Sequence, residues 1–232
     1  MRELRRPTIR TVQAVIAVVI VFSLVVQLVL LFTGGADANS GEAGAVASIG
    51  TRLARLFSYF TIQSNIVVCV VAILLVLRPD RDGRWWHAAR LTSLVAIVIT
   101  GLVFAVVLAP LVHLTGWALV ATIGFHYVSP WLTLLAWVAL GPRRRFTLRT
   151  AVAAFVWPIL WLVYTFVRGA VVHWYPYPFL DVDRIGFDRA LTNSLGVLGL
   201  GVVVAALLCL VDRRTPALLA PAEDRSARVS GT

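Results

Sequence analysis

Two short stretches hold the side chains best suited to chemistry. The first is Ser58-Tyr59-Phe60-Thr61-Ile62-Gln63-Ser64-Asn65, a dense polar opening to a run that is otherwise aliphatic as far as Leu77. At helical spacing Ser58, Thr61 and Asn65 stack on one face, with Ser64 beside them. The second is Phe125-His126-Tyr127, followed by Ser129, Pro130 and Thr133. His126 and Ser129 share a face, and Pro130 interrupts the local backbone ladder. An imidazole is rare in so apolar a setting and is suited to moving protons near neutral pH. Each stretch also has a plainer reading. Hydroxyl residues often serve helix packing, and a lone histidine can simply be a structural hydrogen-bonding group.

A third stretch supplies aromatic and cationic groups. Trp157, Trp161, Tyr164, Thr165 and Arg168 fall on one helical stripe, and His173-Trp174-Tyr175-Pro176-Tyr177-Pro178-Phe179-Leu180-Asp181 follows. The loop's aromatic and proline content predicts an ordered cap over whatever lies beneath. The alternative is an aromatic belt at a membrane interface with Arg168 snorkelling to the headgroups.

These groups have to be positioned by apolar helices. Of the 232 residues 59% are hydrophobic and 14% charged, about half the charge of an ordinary soluble domain. That composition excludes a disordered chain, a disulfide scaffold and a soluble globular domain. Six apolar segments reach the length a bilayer requires, near 11–33, 56–77, 91–112, 117–140, 150–170 and 191–211. The expected fold is therefore an all-α, six-helix transmembrane bundle of one domain, 1–211. The first apolar run is twice the length of a signal-peptide core, so an uncleaved helix is expected despite the following Ala36-Asp37-Ala38. The segment 34–50, rich in Gly and Ala, is predicted to be a flexible loop. The stretch 212–232 is predicted to be a disordered cytoplasmic tail.

All 21 basic residues are arginine. Four lie in each of the N-terminus, the 78–90 segment, the 142–149 segment and the C-terminal tail; only Arg52, Arg55, Arg168, Arg184 and Arg189 fall elsewhere. This asymmetry predicts a multi-pass protein of the cell membrane with both termini in the cytoplasm. Nucleic acid is not expected as a partner, because no loop is long enough to build a basic surface with aromatic platforms. Cys69 and Cys209 lie within apolar runs and show no disulfide or zinc spacing. The four histidines have no HxxxH or carboxylate partner pattern, so neither metal nor cofactor is expected.

Phe60-Thr61-Ile62-Gln63-Ser64-Asn65, Phe125-His126-Tyr127 with Pro130 after it, and Tyr177-Pro178-Phe179-Leu180 resemble the androgen-induced protein family. That family includes the androgen-dependent TFPI-regulating protein and prokaryotic six-helix members. The likeness covers most of 11–211 with the same order of elements. Eukaryotic members are transmembrane hydrolases of fatty acid esters of hydroxy fatty acids that use a threonine nucleophile and a histidine. The resemblance implies Thr61 as nucleophile and His126 as general base, with a fatty acyl ester drawn from membrane lipids as substrate. Gln63, Ser64 and Asn65 depart from the more apolar continuation of the eukaryotic enzymes. Ser58, Gln63, Ser64, Asn65, Ser129, Arg168, His173 and Tyr177 are the candidates for substrate binding or for an oxyanion site. The amides of Gln63 or Asn65, or the Arg168 guanidinium, are the expected oxyanion donors, and Asp181, Asp183 and Asp188 the candidates to orient the histidine. The competing expectation is a small transporter or lipid-binding protein whose polar residues line a vestibule without breaking a bond.

One geometric conflict remains. Thr61 lies about five residues, roughly 7 Å, inside a helix that starts at 56, whereas His126 lies about nine residues, roughly 13 Å, inside one that starts at 117. The two meet only if 113–123 is partly a loop or if helical structure begins earlier, near Ser48.

Overall fold

A computed structural model describes residues 2–37, 39–41 and 47–216, with side chains from Arg6 onward. Six of its helices are long and apolar enough to cross a membrane: Arg6–Thr33, Phe60–Leu77, Arg84–Leu111, Gly116–Leu140, Leu148–Val172 and Phe187–Arg214. They are referred to below as the first to sixth spans. With an even number of spans, the first starts and the last ends at the arginine-rich end of the bundle.

The third span is the centre. From Ser93 to Gly101 every residue is buried, as expected of a helix that is apolar all round. Close crossings fix its neighbours. A Cβ on Gly101 would lie 3.0 Å from the Pro130 ring on the fourth span. One on Gly201 would lie 3.1 Å from both Ile99 and Phe155, joining the third, fifth and sixth spans. The outward faces are aliphatic: Val18, Val21, Val25 and Val29 on the first span and Leu160, Val163, Val167 and Val171 on the fifth are all exposed. That is the inverse of a soluble surface and matches a hydrocarbon surround.

Two apolar cores stack along the bundle. Ile16, Leu91, Leu94, Ile97, Trp137, Val204 and Leu208 form one at the arginine-rich end. Leu56, Ile62, Phe104, Phe125, Trp161 and Leu180 form the other beneath the aromatic loop.

The helix ends differ from the sequence expectation in two instructive places. The second span begins at Phe60, not near 56, because Tyr59 is extended (φ −66°, ψ 131°) and separates it from a short helix, Ile49–Ser58. Ser48 caps that short helix, its hydroxyl accepting from the Thr51 amide at 3.2 Å. Helical structure thus does begin at Ser48, but in two pieces. The sixth span runs on to Arg214, so the expected tail does not start at 212. Asp212 is fully buried there, and its carboxylate accepts the amides of Arg145 (2.7 Å) and Phe146 (2.8 Å). Three-residue extension is the consequence of that anchoring. The remainder of the expected tail, 217–232, lies outside the described residues.

The segment 34–50 also carries specific contacts. Asp37 accepts the amides of Asn39 and Ser40 and the side-chain amide of Gln27; 42–46 lie outside the described residues.

Candidate functional site

The break at Tyr59 places Thr61 in the first turn of the second span, where the leading amides have no partner within the helix. Gln63 N–H, which donates to Tyr59 O at 3.2 Å, makes the first backbone bond of that turn. The amide of Thr61 instead donates to the Tyr177 hydroxyl oxygen at 3.1 Å. The aromatic loop therefore caps the second span through a side chain that is 116 positions distant in sequence.

His126 is held by a different backbone irregularity. Residues Gly124–Val128 form a π turn inside the fourth span. Pro130 has no N–H to give the carbonyl of His126, four residues back, which leaves the ladder free to widen. The third span has the same arrangement: a π turn at Phe104–Leu108, with Pro110 following. The two π turns face each other, and the ring of Phe104 stacks on the His126 imidazole with centroids 3.8 Å apart and 23° between planes.

The side chains then form a directed chain. His126 Nδ1 lies 3.2 Å from the carbonyl oxygen of Thr122. A carbonyl can only accept, so Nδ1 carries the proton and Nε2 presents a bare lone pair. Thr61 Oγ1 lies 3.1 Å from that Nε2 and donates to it. The Tyr177 hydroxyl lies 3.2 Å from Thr61 Oγ1 and donates in turn. Thr61, His126 and Tyr177 are all buried. The depth conflict resolves as well: His126 lies ten residues beyond Gly116, so the second span starts roughly 15 Å deeper than the fourth, with the Ile49–Ser58 helix filling the level above.

Ser64 and Asn65 brace this chain. Both donate to the carbonyl of Thr61, at 3.0 and 2.9 Å. Ser64 also pairs with Thr100 on the third span at 2.8 Å, and Asn65 Nδ2 with the carbonyl of Phe125, beside the histidine, at 3.2 Å. They position the pair without touching Thr61 Oγ1 or His126 Nε2. Ser58 bonds Tyr164 at 2.7 Å and the carbonyl of Ala54, while its own carbonyl accepts from Trp161 Nε1 at 3.0 Å.

Other expected residues lie elsewhere. Gln63 turns outward to the carbonyl of Phe57, and its amide is spent on Tyr59, which removes it as an oxyanion donor. Asn65 offers its side chain to Thr61 O, four residues back on the helix, so its role is bracing. Arg168 is drawn away by Trp174, over whose ring its guanidinium sits at 5.1 Å, with Arg55 at 5.3 Å over the same ring. His173 pairs with Asp183 at 3.1 Å on the exposed loop. Ser129 is fully buried, with a hydroxyl that meets no partner. None of the three candidate carboxylates orients His126. Asp181 caps the short helix Val182–Ile185 and Asp183 holds His173; the orienting group is the Thr122 carbonyl. Phe104 carried no signal in the sequence, because an aromatic in an apolar run is indistinguishable from core. Thr122 did carry one: it stands four residues before His126, the spacing at which a side chain reaches back to a helix carbonyl.

Two cavities flank the chain. An apolar one of about 60 Å³ is bounded by Thr61, Phe104, Trp161, Tyr177, Leu180 and Val197. A more polar one of about 220 Å³ lies on the other side of Tyr177, between Tyr59, the aromatic loop, Asn39 and Arg184. Tyr177 and Leu108 line both. Burial pushes the Tyr177 phenol up to about 12, against the opposing pull of its hydrogen bonds to Thr61. It is a neutral donor throughout the physiological range.

The first and fourth spans meet closely at Gly124. A Cβ there would fall 1.9 Å from the hydroxyl of Ser23 on the first span, itself tied to the carbonyl of Val19 at 2.9 Å. Gly124→Ala should lower stability by about 1–3 kcal/mol, read as a lower thermal midpoint in detergent. Adding Ser23→Ala should recover most of the loss. A neutral single variant would show that the spans are not pressed together at this point.

Compared with known proteins, the chain matches no family model, no curated protein and no solved structure.

Proposed function

We propose that the protein is an integral-membrane hydrolase of fatty acyl esters, with Thr61 as nucleophile and His126 as general base. The observation that carries this reading is the directed chain from Tyr177 through Thr61 to a bare His126 Nε2. A threonine hydroxyl is a weak nucleophile unless a base lies within hydrogen-bond reach and is itself held in one tautomer. Both conditions are met by a 3.1 Å contact and by the Thr122 carbonyl. The likeness of the motifs around these residues to the androgen-induced protein family supports the same assignment.

In the reaction, Thr61 Oγ1 attacks the ester carbonyl and its proton passes to Nε2. The tetrahedral adduct expels the alcohol, which takes that proton, and leaves a threonyl ester. Water, deprotonated by the same Nε2, attacks the ester; the fatty acid departs and Thr61 regains its proton. Charge on the oxyanion meets the Tyr177 hydroxyl and the positive end of the Phe60–Leu77 helix. The apolar cavity beside Thr61 suits the first carbons of an acyl chain, and the wider polar cavity suits the alcohol portion.

The arginine distribution supports an orientation with both termini in the cytoplasm and the site in the outer half of the cell membrane. A fluorophosphonate probe should label the purified protein, and peptide mapping should find the adduct on Thr61. Lipid esters that bind without turnover, in a protein the probe leaves unlabelled, would instead establish a binding or transport protein.

A further inference from the structure

The arginine-rich end of the bundle holds a third cavity, lined by none of Thr61, His126 and Tyr177 and unused by the proposed chemistry. It has a volume of about 40 Å³ and lies between the first, third and fourth spans. Arg81, Arg90, Arg145 and His87 line it, with Gln13 on the first span and the Trp86 and Trp137 rings as walls.

Arg90 is the telling residue. It is 8% exposed, its Nη1 is enclosed without a partner, and no carboxylate among the described residues pairs with its guanidinium. Leaving a buried cation unpaired is strongly unfavourable, so a group in this position calls for a counter-charge. Neighbouring acids are committed. Asp82 already receives Arg145 at 3.0 Å and His87 at 2.5 Å, and Asp80 holds Arg6 at 2.6 Å. Asp212 binds the amides of Arg145 and Phe146 through Oδ2, leaves Oδ1 without a partner and does not line the cavity. Arg81 sits 5.4 Å from the Trp86 ring with its Nε enclosed and unpartnered. Gln13 is 2% exposed, and its Oε1 has no partner.

We infer that this cavity binds a phosphate group. Arg81 and Arg145 on two loops and Arg90 on a helix line it from different sides, an arrangement that suits a tetrahedral anion with several oxygens better than a planar carboxylate. The space equals roughly three waters at about 10–15 Å³ each, so it takes a single phosphate group, and any glycerol or acyl part attached to it stays outside. The phosphate comes either from a lipid headgroup at the membrane surface or from solution. The chemistry is the same, and the two sources separate by experiment. This inference is independent of the ester hydrolase reading.

The full chain in detergent should be unfolded thermally, with tryptophan fluorescence as the readout, in millimolar inorganic phosphate and in sodium chloride of equal ionic strength. It should then be unfolded in phosphatidylcholine nanodiscs with and without phosphatidate. A midpoint raised by about 5 °C in inorganic phosphate indicates a soluble source. The same rise confined to phosphatidate nanodiscs indicates a headgroup. Arg90→Gln should abolish the rise in whichever arm shows it, with probe labelling at Thr61 unchanged. If that variant does not fold, Arg81→Gln should reduce the rise by half or more. A midpoint indifferent to phosphate in both arms, or a rise that survives these substitutions, would overturn the inference. So would a response that appears only after Glu223→Gln and Asp224→Asn, since the chain's own tail would then fill the cavity.

Discussion

Thr61→Ala should lower turnover of a fatty acyl ester by a factor on the order of 10⁴ to 10⁶, with substrate affinity little changed. The size follows from what the substitution removes. Without the hydroxyl no covalent intermediate forms, and the remaining groups can only polarise the carbonyl for a water that has no fixed place. Folding also suffers, because His126 Nε2 and the Tyr177 hydroxyl lose their shared partner in a buried site. That loss is about 1–3 kcal/mol, well short of the 5 kcal/mol or more that a 10⁴-fold effect represents at about 1.4 kcal/mol per decade. The two consequences are separable by measuring the thermal midpoint beside kcat. His126→Ala should match the loss, and the double variant should be no slower than either single one, because nucleophile and base act as a unit. Turnover in Thr61→Ala within tenfold of the parent would sink the assignment.

How much of this was legible in the sequence depends on which physical signal each feature leaves. Six apolar runs announce six helices, since a bilayer-length run is a property of composition alone. Thr61 and His126 stood out because a polar group in an apolar run is conspicuous. Their meeting was not legible, as it turns on Tyr59. A single extended residue inside a helix-forming stretch leaves no trace in hydropathy, yet it sets the depth of the whole second span. The π turns were half visible: Pro130 and Gly124 marked a disturbance near His126, but the twin disturbance that Pro110 follows gained meaning only when Phe104 was found against the imidazole. Asp212 was read as the start of a tail because it ends an apolar run. Its burial depends on amides at 145 and 146, a tertiary contact that no local pattern encodes. A carboxylate is the usual partner of a reactive imidazole, but the carbonyl four residues back from His126 already stands at helical spacing.

Tyr177→Phe isolates the role of the hydroxyl that links the loop to the nucleophile. The ring keeps its place, because Phe179 stacks on it at 5.4 Å and Tyr59 packs against its edge at 5.7 Å. Just behind it, Tyr175 seats the loop on Gly169, where a Cβ would fall 2.1 Å from the ring. Deleting the oxygen thus removes both the donor to Thr61 Oγ1 and the acceptor of the Thr61 amide, while the ring packing holds the loop in place. If the Tyr177 hydroxyl turns from Thr61 Oγ1 to the oxyanion as charge develops, its loss should reduce kcat by about 10²- to 10³-fold, with KM nearly unchanged. A second readout comes from pH. The phenol titrates at 10.0 when unperturbed and is raised to about 12 in the folded protein by burial. Below the lower value it is protonated in both states and its burial is fully stabilising. As pH climbs through the window between them, the unfolded chain ionises first and stability is lost. Tyr177→Phe should flatten that alkaline decline. A variant that loses the decline but retains kcat within threefold would make Tyr177 a structural latch on the loop, and the oxyanion would then depend on the helix terminus alone.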